Sequence, residues 1–167
     1  VLGALPAGRH MDLMPGGHLA QSWNGRLLVA NGRTLYYSQP LRPAVCDLRH
    51  GYVRFPSPIT MVAPVRGGAF VADQGRVYFL DGTDPDQWSM RTTAAGAPAC
   101  GAYALVPGSL FPEMPDVPVA VWLGPGGFVL GLPDGTTLSP QVARLKLEPG
   151  GSGSLAVTNR RLYALGA

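Results

Sequence analysis

One phrase recurs along this chain and limits what it can fold into. Gly25-Arg26-Leu27-Leu28-Val29-Ala30-Asn31-Gly32-Arg33-Thr34-Leu35-Tyr36 returns as Gly68-Ala69-Phe70-Val71-Ala72-Asp73-Gln74-Gly75-Arg76-Val77-Tyr78. Looser copies run from Gly127 to Leu138 and from Ser154 to Tyr163. Each is a short apolar run, a turn of Asn, Asp or Gly, and a second run rich in β-branched and aromatic residues. That is the pattern of a β-hairpin. A unit repeated in this way sets the architecture before any single residue can speak about function.

Each hairpin widens into a three-strand unit. In the first, residues 18–23 lead through Asn24-Gly25 into 26–30, then through Asn31-Gly32 into 33–38. Asn-Gly is a strong hairpin signal because both residues accept the positive φ of a type I′ turn. The second unit runs over 59–65, 69–72 and 76–80, and the third over 117–123, 128–132 and 136–139. Residues 52–55 and 88–91 offer the first two units a fourth strand. Four antiparallel strands make the blade of a β-propeller. Gly25 and Gly68 open copies a little over 40 residues apart, a spacing typical of such blades. The third copy is displaced by a segment at 92–116 rich in Ala, Gly and Pro. Residues 142–147 suit either an outer strand of the third unit or the first strand of a fourth.

The expectation is therefore an all-β fold of antiparallel β-meander repeats, β-propeller-like, with about four blades or part of a larger propeller. Residues 1–167 read as one such domain. The chain begins at Val1, as a processed product or the C-terminal part of a longer protein would. Glycine and proline, 23 and 17 residues, form close to a quarter of the chain, a level that also occurs in disordered segments. The apolar runs between the turns argue for strands instead.

Each candidate site in the chain also suits a plainer structural role. Asp81, Asp84 and Asp86 form the one acidic cluster, and loop carboxylates of this kind can hold Ca²⁺. Their spacing is not that of an EF-hand, and Asp-Gly and Asp-Pro are ordinary turn formers. His10, His18 and His50 lack the spacing of metal ligands. Gly151-Ser152-Gly153-Ser154 is no nucleophile elbow, and Gly124-Pro125-Gly126-Gly127 has no following helix to cradle a phosphate. Cys46 and Cys100 read as small apolar side chains, with a disulfide left open. Tyr36, Tyr37, Tyr78, Phe79 and Tyr163, with Trp23, Trp88 and Trp122, read first as packing between sheets. A rim of exposed tyrosines would instead bind a glycan or a protein. No catalytic, metal or cofactor residue is assigned.

Net charge is +3, and the arginines are scattered singly rather than gathered as a nucleic-acid face requires, so nucleic acid is not an expected partner. No stretch approaches a membrane-spanning helix, and membrane insertion is not expected.

Several phrases carry a resemblance. Trp23-Asn24-Gly25-Arg26-Leu27-Leu28-Val29-Ala30, Leu35-Tyr36-Tyr37-Ser38-Gln39-Pro40 and the run from Val71 to Pro85 are similar to tailed-bacteriophage virion proteins with propeller-like repeats. So are Val119-Ala120-Val121-Trp122-Leu123 and the run from Gly127 to Gly135; the resemblance spans about residues 15–140. It implies a structural protein of the virion, in the tail or neck, made in the bacterial host cytoplasm. Such a protein assembles with tail, neck or portal components, as a homo-oligomer or within a symmetric assembly, and is not an enzyme. The family has no catalytic motif to carry over. The alternative is a glycan- or host-receptor-binding β-propeller module. Residues 42–50 and 92–116 are the expected contact loops.

Overall fold

The computed structural model describes residues 11–111, 114, 116–139, 153–158 and 161–166. The chain is all-β. Strand β1 (Met11–Leu13) is followed by β2 (Leu19–Trp23), β3 (Arg26–Asn31), β4 (Thr34–Tyr37), β5 (Val45–Asp47) and β6 (Tyr52–Arg54). Next come β7 (Ile59–Val65), β8 (Gly68–Asp73), β9 (Val77–Asp81) and β10 (Ser89–Thr92). Then follow β11 (Tyr103–Pro107), β12 (Pro118–Gly124), β13 (Gly127–Gly131), β14 (Thr137–Leu138), β15 (Gly153–Thr158) and β16 (Arg161–Gly166).

Three four-stranded antiparallel sheets succeed one another, β2-β3-β4-β6, β7-β8-β9-β10 and β11-β12-β13-β14, each a meander in chain order. A two-stranded hairpin, β15-β16, follows, and β1 pairs with β5 beside the first sheet's own strands. The described residues form these sheets and no closed ring.

Turn chemistry sets the hairpins. Trp23 pairs with Arg26 across Asn24 (φ 46°) and Gly25 (φ 70°), so both central residues take the positive φ of a type I′ turn. The next hairpin is one residue out of step with the expected Asn31-Gly32 turn. Asn31 pairs with Thr34, leaving Gly32 (φ 56°) and Arg33 at the centre. Gly32 alone takes a positive φ, the Gly-X pattern of a type II′ turn, so Asn31 stays in the strand, where its side-chain amide donates to the Gly16 carbonyl at 2.8 Å.

The 92–116 segment also differs from the expected contact loop. It contains β11, which pairs with β12 from Tyr103↔Trp122 to Pro107↔Pro118. Its apolar run Tyr103-Ala104-Leu105-Val106 was hidden among flanking Ala, Gly and Pro. The third phrase, Gly127 to Leu138, consequently falls on the third and fourth strands of its sheet, whereas the first two phrases fall on the second and third.

Three apolar clusters join the sheets face to face. Trp23, Leu28, Leu35, Tyr37 and Phe55 of the first sheet and its trailing edge meet Ile59, Val62, Val71, Tyr78 and Leu80 of the second. Phe70, Phe79 and Met61, from the opposite face of the second, meet Ala120, Trp122 and Val129 of the third. Val106, Val121 and Leu130 meet Leu155, Val157 and Leu162 of the last hairpin. Every residue of β8 is therefore buried. Its side chains alternate between two cores instead of between core and water, since successive strand residues face opposite ways. Burying each of these large side chains contributes about 1.5–3 kcal/mol, so the middle sheet anchors both neighbours.

Strand β7 serves both cores through a bulge. Ile59 pairs with Asp73 but Met61 pairs with Ala72, so Thr60 is the extra residue. Without it Ile59 and Met61 would share a face; with it Ile59 joins the first cluster and Met61 the second. The Thr60 hydroxyl lies 3.3 Å from the Asp73 carbonyl and 3.4 Å from that of Ala72.

Candidate functional site

The densest polar grouping lies where the first sheet meets the loop after β9. Arg26 follows directly on the Asn24-Gly25 turn, which aims its side chain across the sheet boundary. Its side chain is 9% exposed. Nη1 donates to the Ser38 carbonyl at 2.9 Å, and Nη2 donates to Asp84 Oδ1 at 3.1 Å with Asp86 Oδ2 at 3.9 Å. The same guanidinium stands 5.9 Å from the centre of the Tyr37 ring. The Tyr37 hydroxyl lies 2.8 Å from the His50 carbonyl and 3.1 Å from Asp86 Oδ1, dividing its one proton between them. Burial pushes this hydroxyl far above the ordinary tyrosine range, and the Asp86 charge adds to the effect.

Asp84 has a second task. It caps the short 3₁₀ turn Pro85–Gln87 by accepting from the Asp86 amide at 3.2 Å. Trp88, just past that turn, donates its indole N–H to the Gly82 carbonyl at 2.9 Å and packs 5.3 Å from Trp23 and 5.8 Å from Tyr37. Asp84 and Asp86 of the acidic cluster are thus spent on a buried arginine side chain, a tyrosine and a backbone cap. Among the described residues, no three or more His, Cys, Asp or Glu converge as metal ligands. What this arrangement does is hold one sheet against the next: its donors and acceptors are internally matched, and such networks rigidify the interface they cross.

A second latch of the same kind crosses the next boundary. Arg91 of β10 donates to the Asp134 carbonyl at 2.7 Å and lies 4.9 Å from the Phe79 ring centre. Asp134 in turn accepts from the Thr136 amide and hydroxyl, each at 2.9 Å.

The remaining candidates are dispersed. His18 Nε2 lies 2.8 Å from the Ile59 carbonyl, and His50, 80% exposed, has Nδ1 3.6 Å from Asp47 Oδ2. His10 lies outside the described residues, as do residues 142–147 and the Gly151-Ser152 step; Ser154 is exposed on β15. Gly124 pairs with Gly127 as a hairpin end. Cys46 is buried and Cys100 exposed, and they are not bonded to each other. Burial pushes the Cys46 thiol up, with Asp12 and Asp47 adding to it. Residues 42–50 are built around β5 and the Asp47 carboxylate, which accepts from the Arg49 amide at 2.9 Å.

The aromatics divide. Trp23, Tyr37, Tyr78, Phe79 and Trp122 are buried between sheets. Tyr36 instead faces away from the first cluster, opposite Tyr52 at a ring separation of 6.1 Å, with the Arg54 guanidinium 5.6 Å over Tyr52. Tyr163 is 48% exposed on β16.

No protein-family model matches the chain, and no curated protein sequence matches it at a level that would show common descent. Among the described residues, no helix is long and apolar enough to cross a membrane.

Sequence reasoning missed Arg26, Arg91, Tyr52 and Arg54 as interacting groups. Arg26 and Asp84 are far apart in the chain and belong to different repeats, so no local pattern links them.

Proposed function

We propose that this chain is a structural component of a tailed-phage virion, in the tail or neck, and that it works by protein–protein assembly without catalysis. One observation carries the reading. Meander sheets stack face to face in chain order, each boundary closed by an apolar cluster and two of them by an arginine latch. That arrangement favours a propeller-like ring of blades, and it leaves loops and strand edges on a rigid support where neighbours can bind. The resemblance of the hairpin phrases to virion proteins supplies the particle. Mass spectrometry of purified particles tests it: the chain is expected at a fixed, multiple copy number. Its absence from particles would sink the proposal.

A second reading, a glycan- or receptor-binding propeller module, draws on the Tyr36, Tyr52 and Arg54 group, since stacked aromatics beside a guanidinium suit a sugar face. A glycan array probed with the purified chain decides it. Binding that is lost on Tyr52→Ala supports this reading, and an empty array removes it.

A further inference from the structure

Leu41 is placed in a way its own fold does not explain. Its φ is 56°, in the left-handed region that leucine avoids, and its side chain is 85% exposed. The backbone there is held firmly: the Leu41 amide donates to the Gly25 carbonyl at 2.7 Å, and the Arg42 amide to Gln39 at 3.1 Å. Leu41 Cδ2 leans on the Asn24-Gly25 turn, 3.1 Å from where a side chain on Gly25 would begin. The result is an apolar knob on a braced turn. Arg42 beside it is exposed and forms no ion pair among the described residues.

A matching hollow lies two sheets away. An open groove of about 400 Å³ is lined by Leu105, Val106, Pro107, Asp116, Val117 and Pro118. It forms at the end of the β11–β12 ladder, where Pro107 pairs with Pro118, the Gly108 amide makes one further bond to the Val117 carbonyl at 2.8 Å, and the chain then turns away. Asp116 contributes an exposed carboxylate that accepts from the Ser109 hydroxyl at 2.8 Å and meets no cation among the described residues.

We propose that Leu41 of one copy seats in this groove of a second copy, with Arg42 set against Asp116. Knob and groove carry opposite charges beside matching apolar surfaces. The second sheet stands between them in the stack, and the exposure of Leu41 shows that it does not fill its own groove. The contact joins two different surfaces, so it repeats head to tail and builds a ring if the rotation closes or a filament if it does not. It requires only the isolated chain and holds whether or not that chain is a virion subunit.

Sedimentation of the purified chain over a concentration series tests the contact. The unaltered protein is expected to associate as concentration rises. Leu41→Gly removes the knob and relieves the left-handed backbone, so the fold is kept while association weakens by about tenfold or more. Arg42→Asp is expected to weaken it too, and Asp116→Arg added to Arg42→Asp to recover part of the loss. A chain that stays monomeric throughout, or associates equally well as Leu41→Gly, overturns the proposal. If Asp116→Arg fails to fold, the Leu41→Gly comparison still decides. The particle experiment above is separate, so either idea can fail alone.

Discussion

The indole N–H of Trp23 donates to the carbonyl of Val65 at 2.7 Å, joining the last residue of β2 to the last residue of β7 inside the core. Both strands end there, and the bond fixes how far one sheet slides along the next. Trp23→Phe keeps most of the packing and removes this bond, leaving the carbonyl to the Gly68 amide that faces it across the β7–β8 turn. A loss of about 0.5–1.5 kcal/mol is expected in urea unfolding. A loss near zero would show that the ring packing alone sets the sheet spacing.

Gly135 (φ 80°) sits where a side chain would collide with Arg91 Nη2 and Phe79 Cδ1. Arg91 can swing aside, but the buried Phe79 ring cannot. Gly32 (φ 56°) needs the same left-handed backbone yet has nothing within 4 Å. Gly32→Ala should therefore cost about 1 kcal/mol, for backbone strain alone. Gly135→Ala should cost at least about 1–3 kcal/mol more, because it also overpacks the second cluster. Equal thermal shifts for the two variants would refute the close approach.

Asp73 is buried with its carboxylate fully employed. Oδ1 accepts from the Gly75 and Arg76 amides at 2.9 and 2.8 Å, and Oδ2 from the Tyr78 hydroxyl at 3.2 Å. Burial works to raise its pKa, but these donors, with the Ser57 hydroxyl, outweigh it and hold the group below the usual carboxylate range. Asp47 and Asp134 are lowered as well. A group lowered in the folded state stabilises above its unfolded value, about 3.9, and that contribution drains away as pH falls through the folded value. Stability should thus drop on the acid side of about pH 4, and Asp73→Asn should flatten that drop while lowering stability at pH 7. Urea midpoints across pH check both parts.

Arg26 and Asp84 offer a double-mutant cycle. Asp84 is 48% exposed, so solvent screens the pair, and a coupling of about 1 kcal/mol or less is expected. Removing Arg26 alone should cost more, about 2 kcal/mol, since Ser38, Asp86 and the Tyr37 ring lose their partner too. A cycle in which Arg26→Ala costs no more than the coupling would mean the latch reduces to a surface ion pair.

Both the legible and the hidden parts of this molecule follow from how far an interaction reaches along the chain. Asn24-Gly25 declared its turn because the constraint lies in two adjacent φ angles. Asn31 lies one residue from its expected turn position because Asn-Gly and Gly-X both suit a two-residue turn, and the pairing of Asn31 with Thr34 decides between them. Strand β11 was obscured by its Ala-, Gly- and Pro-rich surroundings, and only pairing with β12 reveals it.

By itself the sequence determined the all-β class, the Asn24-Gly25 turn and the meander order of the first two sheets, since turns and strand propensity act between near neighbours. Only the tertiary structure decided that β8 is buried on both faces, that Thr60 bulges so one strand feeds two cores, and that the acidic loop is bound to Arg26. Those outcomes depend on sheets meeting across dozens of residues, where burial and matched hydrogen bonds, not local backbone preference, set the energy.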